Sequence, residues 1–113
     1  MHEYSIVSSL LERVEREAAL HPGAVARKLH LRIGERAGVE VELLRTAFET
    51  CRARTICETC ELAIEHIPVR WHCPRCDAAI APPMRCNACN SAARLAAGDD
   101  IRLDRIELEV PDV

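Results

Sequence analysis

Between Trp71 and Asn90 the chain carries two Cys-x-x-Cys pairs separated by nine residues, and this arrangement constrains the fold more than any other feature. Cys73 with Cys76, and Cys86 with Cys89, can each fold as a tight knuckle that aims two thiolates at one point. Two such knuckles supply the four soft ligands of a tetrahedral structural zinc site. Four thiolates around one dication leave excess negative charge, which backbone N–H groups and the flanking Arg70, Arg75, Arg85 and Arg94 are placed to offset. The competing reading, two disulfides in a small secreted domain, requires an oxidising compartment.

Little else in the sequence points to secretion. The seven cysteines are an odd number, and no N-terminal stretch joins a basic start to an apolar run, so the cytoplasm is the expected location and no membrane partner is expected. A chain of 113 residues can bury one modest core and carry a small metal-held module, but not two large independent domains. Its net charge of −3 and its three aromatic residues, Tyr4, Phe48 and Trp71, argue against a nucleic-acid surface.

Ile6, Val7, Leu10, Leu11, Val14 and Ala18 recur at three- and four-residue intervals among charged residues, which predicts an amphipathic helix ending by His21, before Pro22-Gly23. Val25, Leu29, Leu31 and Ile33 alternate with polar residues, Arg27 excepted, and predict a strand over 25–34 with His30 on its wet face. A second helix starts near Glu40 and places Leu43, Leu44, Ala47, Phe48 and Cys51 on one face. Glu61 to Val69 reads as a second strand and Ile101 to Val110 as a third, whose apolar phase slips near Asp104 or Arg105, as a β-bulge would cause.

Cys57 and Cys60 form a third pair. Joining them to Cys73 and Cys76 would enclose a whole strand in the metal loop, whereas the two later pairs enclose only Asp77 to Arg85, so the later pairs are expected to share the metal. The earlier pair is then two small thiols at a strand entrance, with a redox pair or accessory metal site as the other reading. The element order predicts an α/β (α+β) fold of two helices on a small three-stranded mixed sheet, with a zinc-ribbon-like module inserted before the last strand. The expected boundaries are 1–70 and 95–113 for the α/β domain and 71–94 for the module.

Met1-His2-Glu3-Tyr4-Ser5, the stretch LRIGERAGVE from Leu31 to Glu40, Ala47-Phe48-Glu49 and the late cysteine pairs occur in an order that resembles the HypA/HybF hydrogenase maturation family. The resemblance spans nearly the whole chain. It implies a nickel metallochaperone, not an enzyme, that loads Ni(II) into the large subunit of [NiFe]-hydrogenase with a HypB-type GTPase, and in some organisms serves urease maturation proteins. It also implies nickel cargo at Met1, His2 and Glu3, with Glu40 in the position of an acidic residue after the glycine turn, and structural zinc on Cys73, Cys76, Cys86 and Cys89. The Met1 amine, the His2 backbone nitrogen and the His2 imidazole can close two fused chelate rings, and Glu3 can add a carboxylate oxygen or its backbone nitrogen. The family's knuckles commonly carry glycine after the second cysteine. Here Asp77 and Asn90 stand there, residues that tolerate a left-handed backbone. Two other function classes are weighed against this one: a zinc-ribbon module binding protein or nucleic acid, and a small metalloenzyme. The enzyme fits poorly, because four cysteines close the metal shell.

Overall fold

The computed structural model describes residues 2–80 and 84–111. In chain order its elements are α1 (Glu3–Ala18), β1 (Val25–Gly34), α2 (Val41–Cys51), β2 (Glu61–Ile67), β3 (Arg70–His72), β4 (Ala79–Ile80), β5 (Arg94–Ala97) and β6 (Ile101–Glu109). Among these residues no helix is long and apolar enough to cross a membrane.

The predicted helical stripe is the buried face of α1: Val7, Leu10, Leu11, Val14 and Ala18 are all buried. Gly23, at φ +80, then lets the chain reverse into β1. That strand lies at the centre of a three-stranded sheet, parallel to β2 and antiparallel to β6, so the sheet is mixed, as expected. Phe48, Leu29, Leu44, Val7 and Val14 are the largest fully buried apolar side chains of the core. Each contributes roughly 1.5–3 kcal/mol by leaving water. Leu43 departs from the expected helical face and is 43% exposed, because the buried stripe of α2 runs through Leu44, Ala47 and Phe48 at helical spacing.

Two irregularities in the sheet account for the two breaks in its sequence pattern. The β1–β6 register shifts between Ala26 and Lys28, so Arg27 is the extra residue of a bulge and Ala26 turns fully into the core. It shifts again between His30 and Leu31, whose partners Arg105 and Leu103 skip Asp104, at the predicted site. The wet face carries matched charges, Lys28 with Glu61 and Arg32 with Glu65, and a hydrogen bond between His30 Nε2 and the Glu107 carboxylate. The His30 hydrogen bond holds the Glu107 carboxyl below its ordinary value.

A second sheet, ordered β4-β3-β5, is built from strands of two to four residues. The chain reaches it through Pro68-Val69 and leaves through Gly98-Asp99-Asp100. Contacts at these crossings are close. Arg36 N–H donates to Gly98 O at 2.7 Å, Gly34 N–H to Asp100 O at 2.8 Å and Glu35 N–H to Ile67 O at 2.9 Å. The Glu35 carboxylate accepts Val69 N–H at 3.1 Å, and the Arg36 guanidinium lies 5.8 Å from the Trp71 ring centre. A Cβ at Gly34 would fall 2.3 Å from the Gly98 carbonyl carbon, so backbone packs on backbone there.

Candidate metal centres

The two late cysteine pairs fold as matched knuckles. In the first, Cys73 N–H donates to Ala78 O at 2.9 Å and Asp77 N–H to Cys73 O at 2.8 Å; in the second, Cys86 N–H donates to Ser91 O at 3.0 Å and Asn90 N–H to Cys86 O at 2.8 Å. Each turn closes through a left-handed residue, Asp77 at φ 56 and Asn90 at φ 59, so the non-glycine residues preserve the knuckle geometry.

The four Sγ atoms lie within 4.8 Å of one another, and Cys73 Sγ stands 3.4 Å from Cys89 Sγ. For zinc bound by about 2.3 Å bonds, a tetrahedron needs sulfurs about 3.8 Å apart, so the donor set fits such an ion with small side-chain adjustments. Cys73 and Cys86 are buried, Cys89 is half-buried and Cys76 is exposed.

Hydrogen bonds divide the four thiols. Ser91 Oγ, 3.1 Å from Cys89 Sγ, and the Ser91 N–H lower the Cys89 thiol to about 6, with the Cys73 contact adding to the effect. The Cys89 and Ala88 N–H groups lower Cys86. Cys76 is pushed up to about 12, chiefly by its bond to Cys89 and then those to Cys73 and Cys86. Of the flanking arginines, Arg85 reaches the Asn90 carbonyl at 3.0 Å, bracing the knuckle backbone rather than a sulfur.

Cys57 and Cys60 do not join this cluster. Both have zero exposure and belong to the apolar core. Burial, reinforced by Cys60, pushes Cys57 up to about 12, and burial raises Cys60. All seven cysteines are free thiols, with no disulfide of the kind a secreted domain would use.

At the chain start, Met1 lies outside the described residues. His2 caps α1 through its backbone, accepting Ile6 N–H at 3.0 Å, and its side chain is exposed. Glu3 is only 2% exposed, and its Oε2 accepts the Glu40 N–H at 2.9 Å. That bond is the main cause of its lowered pKa, working against the opposing effect of burial. The carboxylate serving the positive end of α2 is therefore Glu3's, supplied from across the fold, while the Glu40 side chain makes no capping bond and is exposed. Glu3 and the Glu40 backbone are thus brought together, whereas among the described residues His2, Glu3 and Glu40 do not form a cluster of metal-ligating side chains. Sequence reasoning did not foresee the burial of Glu3, since nothing local reveals a partner 37 positions away. It also passed over Ser91, although a hydroxyl just after a knuckle is a usable sign of a thiolate donor.

The family model described as "Hydrogenase/urease nickel incorporation, metallochaperone, hypA" matches residues 1–108. The chain belongs to the HypA family. The hydrogenase maturation factor HypA of Wolinella succinogenes is 36% identical over 117 residues, covering 99% of this chain and 98% of that protein. The HypA of a Roseiflexus species is 37% identical over 114 residues, covering 96% and 93%. Among solved structures, the solution structure of the Ni metallochaperone HypA from Helicobacter pylori is similar with a TM-score of 0.73 at 30% identity, over 98% of this chain and 100% of that one. A second HypA solution structure reaches 0.82 at 30% identity, over 98% of each chain. HypA membership agrees with the resemblance carried by Met1–Ser5, Leu31–Glu40 and the late cysteines. The HypA family is one of nickel metallochaperones and hydrogenase maturation factors, and this member carries a four-cysteine cluster able to hold a metal ion.

Proposed function

We propose that this protein carries Ni(II) to the large subunit of a [NiFe]-hydrogenase during maturation, as a cytoplasmic accessory protein without catalytic activity of its own. A HypB-type GTPase is its partner in that reading, and urease maturation proteins are further recipients. Zn(II) is the resident ion, held by Cys73, Cys76, Cys86 and Cys89, and its role is to order residues 71–94, whose short strands bury few apolar side chains. Residues 1–70 and 95–113 form the nickel-binding part.

The observation that carries the nickel reading is the docking of the N-terminal segment by Glu3 on Glu40. It fixes the start of α1 against the start of α2 and leaves the His2 side chain exposed at the end of α1. In the nickel site, the Met1 amine and two nitrogens of His2 supply three donors in a plane. The engagement of the Glu3 carboxylate with Glu40 N–H favours the Glu3 backbone nitrogen over that carboxylate as the fourth donor. Glu40 stands near the ion as an outer carboxylate.

The test is calorimetric titration of Ni(II) into the zinc-loaded protein and two variants. A glycine placed before Met1 keeps every side chain but turns the former amine into an amide, and His2→Ala removes the imidazole. Both variants should lose most of their nickel affinity with zinc content unchanged, and Glu40→Gln should lose less. Unchanged affinity and an unchanged absorption spectrum in the glycine-extended protein would remove the amine from the site.

A further inference from the structure

The sheet ordered β2-β1-β6 has two outer edges, and they are finished differently. Beside β2, Arg45 donates to Leu62 O at 3.0 Å and Arg52 to Cys60 O at 2.6 Å, so arginines of α2 and its C-cap already take backbone carbonyls there. Among the described residues no side chain bonds the backbone of β6, and Ile101–Glu109 holds no proline that would keep a further strand away. Gly34 N–H donates to Asp100 O, which sets the alternation along the strand. Wet-face residues such as Arg102 turn their backbone groups toward β1, while Ile101, Leu103, Ile106 and Leu108 turn theirs outward. A groove of about 340 Å³ runs between this edge and the α1 residues Arg13 and Glu17, and Leu103, Ile106 and Leu108 line it.

We propose that this edge pairs with a second copy of the chain, β6 against β6 in antiparallel register about a two-fold axis between Asp104 and Arg105. The bulge at Asp104 makes the edge fit itself. In a regular strand the faces alternate, so such an axis must set some residue against its own copy. Here Asp104 and Arg105 are both exposed, and the order of half-buried and exposed residues from Ile101 to Leu108 reads the same in either direction. On the core side Leu103 of one copy then faces Ile106 of the other, and Ile101 faces Leu108. On the wet side Arg102 faces Glu107 and Asp104 faces Arg105, so every charge in the stretch meets its opposite. Shifting the register by one or two residues sets an apolar side chain against a charged one. Asp104 has no ion-pair partner in its own chain among the described residues, and Arg102 spends only Nε on Asp100, at 3.2 Å. The end pair, Asp100 with Glu109, opposes like charges, each already matched by an arginine of its own chain, Arg102 and Arg27. The edge is independent of the nickel reading and involves no metal ligand.

The experiment is analytical ultracentrifugation of the zinc-loaded full chain from about 5 µM to about 500 µM, a range suited to an interface smaller than the standard size. Amide hydrogen exchange is read at the two ends of that range. Dimer should form as concentration rises, more readily at low salt, with slower exchange at the Leu103 and Ile106 N–H groups. Asp104→Arg and Arg105→Asp should each weaken self-association roughly tenfold, because each sets two like pairs across the axis. An equimolar mixture of these two variants should recover association, since each then supplies the charge that the other lacks, an outcome that a damaged fold cannot imitate. A monomer at every concentration would overturn the proposal, as would a dimer in which Leu103 and Ile106 exchange no more slowly. A dimer that both single variants leave intact, or a mixture that associates no better than either variant alone, would also overturn it.

Discussion

Cys57 and Cys60 have the same spacing as Cys73 and Cys76, yet the first two are sealed in the apolar core while the second two meet Cys86 and Cys89 at a common point. The difference lies in the path of the backbone beyond each pair and in the surroundings of its sulfurs. After Cys76 and Cys89 the chain turns through a left-handed residue and exposes N–H groups to sulfur, whereas after Cys60 it enters β2 directly. Donors lower the Cys89 thiol to about 6, and burial pushes Cys57 up to about 12. A Cys-x-x-Cys motif is thus a metal knuckle only where the backbone makes it one. With Cys57, the same small polarisable side chain is used as core.

The widest separation between the two kinds of pair should appear when the late cluster is halved. Cys86→Ser/Cys89→Ser should lose its zinc, measured by elemental analysis, and disorder the module, read from Trp71 fluorescence, while helix content from α1 and α2 persists in circular dichroism. The reciprocal variant, Cys57→Ser/Cys60→Ser, should keep one zinc per chain but be less stable in urea, by about 1–3 kcal/mol per buried hydroxyl left without a good partner. Loss of zinc from the second variant and retention by the first would reverse the assignment.

The two environments also differ in their response to pH. Unfolded, Cys57 titrates near 9; folded, it titrates at about 12. Its contribution to stability is therefore complete below about pH 9 and is lost as pH rises from there toward 12, where the unfolded chain sheds the proton first. Urea denaturation across that range should show wild type losing more stability than Cys57→Ala. A smaller effect is expected at the knuckles themselves. Ser91→Ala removes the hydroxyl beside Cys89 Sγ, and chelator competition should show metal affinity weakened by less than about tenfold, with no change at Cys57 or Cys60.

The sequence already exposed most of the α/β part, because α1, β1 and α2 are long enough to repeat their period. Even the breaks were informative: Arg27 interrupts the alternation where β1 bulges, and the slip near Asp104 marks the second bulge. Leu43 misled because a helical face of five apolar residues is wider than the strip that α2 buries. In the module, strands of two to four residues are too short to show any period, so β3, β4 and β5 were not legible, although the cysteine spacing placed the knuckles between them. At the N-terminus the candidate residues were readable but the burial of Glu3 was not, since it depends on a backbone N–H at Glu40 that only the fold brings near.

The division of labour among the three cysteine pairs is tested most directly with cadmium in place of zinc, by correlating cysteine Hβ protons with the bound metal nucleus in NMR. One cadmium resonance should couple to Cys73, Cys76, Cys86 and Cys89 and to no other cysteine. A correlation from Cys57 or Cys60 to that resonance, or a second cadmium signal belonging to that pair, would contradict the account.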